Sequence, residues 1–280
     1  MKLTVFLCLC LIVFAFRFSI DSNKNFQLTK SNTSKHNQSV SDVSDSLEES
    51  DLNVFDYLDV NQKSVQISGE DYSLKEFFKF ELIEKTLFDS KRETRVNIVF
   101  EDATDHKKIN GVLKLKCDSK VVTLKDQTSI EVGDGYQSHT YLGQIEFLNS
   151  YFIQRHEWEQ QSFLFIDKNK GEEIGHFPAF PYISHDKKHI ILVCSSYGEV
   201  FLGYFEISNG KIKEIISGAP KYWEPYWEHI YVDGEFDRTV DDMFWGSDGN
   251  FYAKVFSRKS LFNENSQPTQ IIQYIRITPI

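Results

Sequence analysis

The 280-residue sequence contains little glycine or proline and has no excess of basic charge. Its 14 glycines and 6 prolines are too few for a collagen-like chain. A mean hydropathy of -0.37 with 26% charged residues excludes a multi-span membrane protein, and 41% hydrophobic residues exclude a wholly disordered chain. These figures predict a soluble globular protein with apolar material for one large core or two small ones.

Recognisable catalytic motifs are missing as well. The sequence contains no G-x-S-x-G, G-x-G-x-x-G or Walker A pattern. Residues 156–160 approach the zinc-protease motif H-E-x-x-H, but Gln160 stands where the second histidine must reach the metal. We therefore predict no metal site and no cofactor, and the sequence specifies no particular reaction.

Two further patterns predict turns instead of metal sites. Residues 167–171 begin like a calcium loop, but Glu172 and Pro178 replace the glycine and the bidentate glutamate that such a loop needs. His185 and His189 have a spacing that brings two imidazoles onto one metal only in a helix. The residues between them predict a turn, so we expect both histidines to be solvated.

The acidic charge is concentrated in residues 41–60, which contain seven acidic residues and no basic one. These residues are Asp42, Asp45, Glu48, Glu49, Asp51, Asp56 and Asp59. The rest of the chain is close to balanced, which indicates neither an acidic surface for basic partners nor a basic surface for nucleic acid. We predict no nucleic-acid partner.

The N-terminus, residues 1–20, predicts a signal peptide or a short membrane anchor. Lys2 precedes an apolar run over residues 3–16, interrupted only by Thr4. A helix of that length spans about 21 Å, which is short of the ~30 Å needed to cross a bilayer. We expect export to the periplasm, the cell surface or the exterior. No small-x-small cleavage pattern follows directly, so an uncleaved segment is the alternative and the only predicted membrane contact.

Residues 21–61 predict a flexible tether, because they are rich in Ser, Asn and acidic residues and contain few apolar ones. Residues 62–135 form a β-rich N-terminal segment with short apolar runs and turn signals. Within it, residues 73–88 fit a helix slightly better than a strand. Residues 136–280 alternate apolar strands with polar turns and predict a second domain of antiparallel hairpins.

The strand spacing predicts an all-β fold with minor helix, arranged as a propeller-like or partial-propeller array, with a β-sandwich as the alternative. Residues 183–192 and 244–253 share an apolar–turn–apolar form that resembles the inner hairpin of propeller blades. Residues 141–280 hold three blades at most. The N-terminal segment would have to supply the rest or cap an open array.

The C-terminal half resembles an uncharacterised family of small exported or lipid-anchored bacterial proteins, mainly of the Bacteroidetes. The phrases that carry this resemblance are residues 141–145, 165–171, 181–188, 244–249 and 273–277. They cover strands and hairpins with propeller-like character. The resemblance implies export and a β fold, and it implies no activity.

Cys117 and Cys194 are the only cysteines outside the leader, and both lie in apolar, strand-like segments. In an oxidising compartment a disulfide between them is allowed, and two buried thiols are the alternative. Neither cysteine has a partner at C-x-x-C spacing, which disfavours a zinc site.

The densest candidate for ligand binding is an aromatic and acidic stretch near residue 225. Its candidate residues are Tyr222, Trp223, Glu224, Tyr226, Trp227 and Glu228. Exposed rings beside carboxylates suit carbohydrate stacking, and two carboxylates at the correct separation serve glycoside hydrolysis. The competing interpretation is that the rings complete the core while the acids face water.

Three functions are consistent with these patterns. The first is a non-enzymatic exported binding protein of the cell envelope or exterior with a protein or glycan partner. The second is a glycan-active hydrolase that uses Glu224 or Glu228. The third is an immunity-type protein that occludes a partner. The sequence does not determine the oligomeric state.

Overall fold

The computed structural model describes most of the chain from residue 46 onward. The described residues are 46–60, 66–96, 98–99, 106, 108–127, 136–157, 160–196, 199–226, 231–232, 235–236, 242–258 and 271–280. Within these ranges no helix is both long and apolar enough to cross a membrane. The predicted leader and the first part of the predicted tether lie outside them, so both stay predictions.

Two short α-helices, one 3-10 helix (Glu146–Leu148) and nineteen strands make up the regular structure of the described residues. The α-helices are α1 (Glu49–Leu52) and α2 (Lys85–Arg92). The first five strands are β1 (Val54–Val60), β2 (Gln66–Ser73), β3 (Phe78–Ile83), β4 (Val112–Lys116) and β5 (Val121–Lys125). The next group is β6 (Gln137–Ile145), β7 (Ser150–Glu157), β8 (Gln160–Asp167), β9 (Glu173–Phe177), β10 (Tyr182–Ile183), β11 (His189–Ser196), β12 (Glu199–Ser208) and β13 (Lys211–Pro220). The last group is β14 (Trp223–Pro225), β15 (Tyr231–Val232), β16 (Glu235–Phe236), β17 (Met243–Trp245), β18 (Phe251–Ser257) and β19 (Ile272–Pro279).

The strands form three main antiparallel sheets. The central sheet has the order β10-β11-β12-β13-β1-β2, and the meander sheet has the order β6-β7-β8-β9. The C-terminal sheet has the order β14-β18-β19-β3, with β17 also paired to β18. Strands β4 and β5 form a separate hairpin, as do β15 and β16. The all-β class is therefore confirmed, and no sheet closes into a ring among the described residues.

The central sheet is covered on both faces. Along β11, Ile191 and Val193 face a core shared with the C-terminal sheet, whereas Ile190 and Leu192 face a core shared with the meander sheet. Since successive side chains of a strand point to opposite faces, both sets are buried. This double burial explains why the strand appears in the sequence as an unbroken apolar run.

Smaller elements cover the outer faces of the other two sheets. The β4–β5 hairpin places Leu113 and Leu115 against Ile153 and Leu164 of the meander sheet. Helix α2 places Phe88 against the far face of the C-terminal sheet. The described layers therefore run from the β4–β5 hairpin through the meander, central and C-terminal sheets to α2.

Both of the hairpins predicted from the shared apolar–turn–apolar form are confirmed. The first joins β10 to β11 and the second joins β17 to β18. Asp186 and Asp248 each accept a hydrogen bond from the backbone N–H two residues later, at 3.1 and 3.2 Å. The following residues, Lys187 and Gly249, both have a left-handed backbone, with φ of 62° and 79°. The two turns therefore use the same local hydrogen bond.

The predicted helix over residues 73–88 is wrong for most of its length. Residues Phe78–Ile83 form β3, which pairs with β19 at the edge of the C-terminal sheet, and α2 begins only at Lys85. Phe78 and Phe80 alternate into the core while Lys79 between them faces solvent. Pairing with a strand nearly 200 residues away overrides the weak local preference for helix.

The predicted tether is also too long at its C-terminal end. Leu47, Leu52 and Phe55 are buried in the core, and β1 pairs with both β2 and β13. A few apolar residues at core positions are enough to order this segment despite its acidic composition. The predicted boundary at residue 135 is not a domain boundary, because residues Ser44–Ile280 form one compact unit in which β1, β2 and β3 join sheets built from later strands.

Candidate functional site

The predicted aromatic and acidic stretch starts in the core. Strand β14 pairs with β18, and this pairing places Trp223 opposite Ser257. Trp223 is 0% exposed and packs near Phe80. Glu224 is also buried. The prediction of an exposed stacking platform is therefore wrong for Trp223, because β14 inserts the indole between the central and C-terminal sheets.

The two tyrosines of this stretch are engaged by lysines. The Lys221 ammonium lies over the Tyr222 ring, and the Lys254 ammonium lies 3.6 Å from the centroid of the Tyr226 ring. Trp227 and Glu228 lie outside the described residues. The proposed pair of carboxylates is thus described only at Glu224, which is buried, so the separation that would distinguish a glycoside hydrolase is not defined among the described residues.

The two cysteines lie in different layers of the molecule. Cys117 is buried between the β4–β5 hairpin and the meander sheet, whereas Cys194 lies on β11 of the central sheet. Burial raises the pKa of the Cys117 thiol. No disulfide joins the two cysteines in the described structure. The meander sheet lies between them, and a disulfide requires Cα atoms within about 7 Å.

The turn residues tested for metal binding have structural roles. Residues 167–171 connect β8 to β9 as predicted, with Lys170 N donating to Asp167 Oδ1 at 2.7 Å. His185 is exposed, in agreement with the prediction. His189 differs, because its ring stacks on Tyr204 and its Nδ1 lies 2.8 Å from the Tyr204 hydroxyl. The described residues contain no group of three His, Cys, Asp or Glu placed to hold a metal.

A row of polar side chains crosses one face of the meander sheet. His139 on β6 lies opposite Arg155 on β7, and Arg155 lies opposite Ser162 on β8. His176 on β9 continues the row, because its Nε2 lies 3.2 Å from Arg155 Nη2. We call these four residues the polar row. They occupy the same face as Ile153 and Leu164, just beyond the area where the β4–β5 hairpin packs.

His139 is buried at the hairpin end of the polar row and is 3% exposed. Its backbone N–H donates to Asp126 Oδ1, and its backbone oxygen accepts from Lys108 Nζ at 2.9 Å. Burial lowers the pKa of His139, and the nearby Asp126 carboxylate only partly opposes that shift. The ring is therefore neutral at pH 7.

The tautomer of His139 follows from its neighbour. The amide nitrogen of Gln137 lies 2.9 Å from His139 Nε2, and an amide nitrogen can only donate. His139 Nε2 therefore accepts, and Nδ1 carries the proton. That N–H is buried, and the 3.5 Å between Nδ1 and Asp126 Oδ1 is longer than an ordinary N–H···O hydrogen bond, so the Asp126 carboxylate satisfies it weakly at best.

Arg155 lies at the centre of the polar row and, like His176, is partly exposed. Its Nη2 lies 3.6 Å from Glu157 Oε2, so part of its charge is balanced at the rim. His176 in turn lies 3.3 Å from Glu173 through Nδ1. Arg155 Nε and the Ser162 hydroxyl are both buried without a hydrogen-bond partner among the described residues. A buried unpaired polar group costs about 1–3 kcal/mol, so these atoms call for a functional explanation.

The arrangement is better suited to binding than to nucleophilic catalysis. Ser162 and His139 are separated by the whole of β7, which places their strands about 10 Å apart. A serine nucleophile needs its base within about 3 Å, and Arg155 occupies the space between them. By contrast, Arg155 Nε, Ser162 Oγ and His139 Nδ1 are three N–H or O–H donors on one face. Three such donors suit a ligand that presents hydrogen-bond acceptors.

The sequence analysis missed the polar row because its members come from four separate strands. No spacing motif connects residues 139, 155, 162 and 176 along the chain. The only local signal is a polar residue on a strand face that is otherwise apolar, such as Arg155 two residues after Ile153. Recognising it requires the register of β6 to β9.

Comparison with known proteins adds no assignment, because no family model matches the chain and no curated protein or solved structure matches it significantly.

Proposed function

We propose that the protein is a non-enzymatic, exported binding protein of the cell envelope or exterior. Its ligand is held by the polar row of the meander sheet. Export is supported by the layout of residues 1–20, with a basic start and an apolar run too short to span a bilayer. The binding function rests on one observation: three buried donors on one sheet face make no ordinary hydrogen bond to another of the described residues.

The chemistry of the polar row favours an acidic glycan as the partner. Arg155 supplies a positive charge, and the donors of Arg155, Ser162 and His139 match carboxylate and hydroxyl oxygens. Neutral His139 adds a donor without adding charge. The Tyr141 ring lies on the same face and packs against His106, so an aromatic surface adjoins the polar groups. A sugar carboxylate beside ring hydroxyls presents both kinds of acceptor.

We also propose that the three sheets are arranged as an open, partial propeller. The meander sheet and strands β10 to β13 are each an up-and-down set of four consecutive strands. The C-terminal sheet takes its outer strand, β3, from the N-terminal segment. This agrees with the expectation that the N-terminal segment completes or caps the array.

The binding proposal can be tested with sodium glucuronate as the probe and glucose as its neutral counterpart. We expect glucuronate to perturb the amide NMR signals of β6 to β9 in the full chain, and glucose to bind more weakly. The combined change Arg155→Gln and Ser162→Ala should reduce glucuronate affinity about 10- to 100-fold, since it removes a charged hydrogen bond and a neutral one. Thr140→Ala is the matched control, because Thr140 is exposed on the other face of β6.

The possible outcomes are distinct. Equal affinity of the wild type and the double variant, with both folded by circular dichroism, would contradict the site. A response to acetate and acidic peptides but not to sugars would replace the glycan with a protein carboxylate. Turnover of a glucuronate glycoside that depends on Glu224 would contradict the non-enzymatic assignment.

A further inference from the structure

The outer face of the β4–β5 hairpin carries a row of lysines. The inner face packs Leu113 and Leu115 onto the meander sheet, so alternation turns Lys114 and Lys116 of β4 outward. Lys125 of β5 lies on the same outer face, opposite Val112. We call Lys114, Lys116 and Lys125 the lysine ribbon. It is a positively charged surface on a chain whose net charge is -10.

The charges of the lysine ribbon are not neutralised within the described structure. None of its three lysines forms an ion pair among the described residues, whereas neighbouring Lys108 is paired to Asp126 at 2.7 Å. Lys120, at the tip of the hairpin, is exposed as well. Among the described residues within 106–127, five lysines outnumber the two acidic residues, Asp118 and Asp126, so the local charge of the hairpin is positive.

Exposed aliphatic side chains lie at both ends of the lysine ribbon. Val121 pairs with Lys116 at the tip end and is 57% exposed, and Ile109 bridges to Val112 at the other end and is 68% exposed. Cross-strand partners point to the same face, so these two side chains share the surface with the lysines. The outer face is therefore both basic and apolar.

We propose that the lysine ribbon docks the protein onto an anionic lipid bilayer. Lysines attract an anionic membrane surface, and the flanking Ile109 and Val121 side chains can enter the boundary between headgroups and acyl chains. The segment 106–126 contains no arginine, the residue that binds individual phosphates or carboxylates in bidentate geometry. A diffuse negative surface fits this face better than a defined nucleic acid or peptide site. The ribbon is separate from the polar row, so the two proposals stand or fall independently.

Vesicle sedimentation of the full chain tests this proposal. The probes are vesicles of phosphatidylcholine with an equal part of phosphatidylglycerol, and vesicles of phosphatidylcholine alone. We expect the triple change Lys114→Gln, Lys116→Gln and Lys125→Gln to lower partitioning onto the anionic vesicles on the order of 100-fold, since each lysine contributes about fivefold. The wild-type preference for anionic vesicles should also decrease steeply with added salt.

A matched triple variant separates the ribbon from net charge. The changes Lys188→Gln, Lys211→Gln and Lys213→Gln remove equal charge from exposed positions on β13 and on the turn between β10 and β11. This variant should bind anionic vesicles as the wild type does. All three proteins carry the same N-terminal segment, so any membrane binding by that segment contributes equally to each of them. Equal losses in both triple variants, or no loss in the ribbon variant, would overturn the proposal. Binding of the ribbon to polyglutamate or duplex DNA but not to vesicles would also overturn it.

Discussion

Glu214 is a carboxyl group in a position that disfavours its charge. It is buried on β13, and the Ser217 hydroxyl donates to its Oε1 at 2.6 Å. Asp59 on β1 lies directly opposite Ser217. Burial raises the pKa of Glu214, and the negative charge of Asp59 raises it further. Glu214 therefore holds its proton more strongly in the folded protein than in the unfolded chain, at the junction where β1 joins the central sheet.

Glu214→Gln should make the protein more stable at neutral pH. Glu214 binds its proton more tightly in the folded state than in the unfolded state, where its pKa is near 4.5. The wild type should therefore lose stability as pH rises above that value through the folded pKa, and the Gln variant should not. We expect a gain on the order of 1 kcal/mol at pH 8 and little at pH 4, measured by urea unfolding. An equal gain in stability at pH 8 and at pH 4 would contradict this account. The control is Glu206→Gln at an exposed position.

The turn between β17 and β18 acts as an anchor for helix α2. Lys91 of α2 lies 2.8 Å from Asp248 Oδ2, and the Tyr252 hydroxyl donates to the same oxygen at 2.8 Å. Burial alone would raise the pKa of Asp248, but the hydrogen bonds from Lys91, Tyr252 and Asn250 lower it to about 2. The helix covers the C-terminal sheet through Phe88, so this turn helps to hold a layer in place.

Asp248→Asn should destabilise the protein in a pH-dependent way. Because the pKa of Asp248 is lower in the folded protein than its usual value of 3.8, the ionised carboxylate stabilises the fold above pH 3.8. This stabilisation is lost as pH falls toward 2. We expect the free energy of unfolding to fall by roughly 2 kcal/mol at pH 7 and by less below pH 4. Urea unfolding monitored by circular dichroism provides the measurement. Asp118→Asn, in an exposed turn, should have no effect. A loss that is constant from pH 7 to pH 2 would rule out the ionic explanation.

The sheets link distant parts of the chain into one unit. β1 pairs with β13 and β3 pairs with β19, so strands from the first third complete sheets built by the last third. Phe55 of β1 is fully buried in the core between the central and C-terminal sheets. This arrangement predicts a single cooperative unfolding transition for the described part of the chain.

Phe55→Ala should lower the free energy of unfolding by about 3–5 kcal/mol, because it leaves a cavity in that core. The neighbouring Asp56 is exposed, and Asp56→Ala should cost less than ~0.5 kcal/mol. Urea unfolding followed by tryptophan fluorescence and by far-ultraviolet circular dichroism provides the measurement. A negligible change in stability on Phe55→Ala would support the flexible tether that the sequence predicts for this segment. Unfolding transitions that differ between fluorescence and circular dichroism would contradict a single cooperative unit.

The sequence by itself determined the β class and the main turns. Alternating apolar runs and turn residues such as Asn209-Gly210, both with left-handed backbone, depend only on local chemistry. Local patterns also suggested a binding stretch around Trp223, but they could not reveal that β14 carries this ring into the core.

Only the tertiary structure decided the position of β1 and β3, the burial of Trp223 and the assembly of the polar row. Each depends on which distant strands pair and in what register, and a register shift of one residue would turn Arg155 to the opposite face. The energy that selects the register comes from burying both faces of the central sheet at once. That cooperative burial is a property of the assembled layers and has no signature in a single segment.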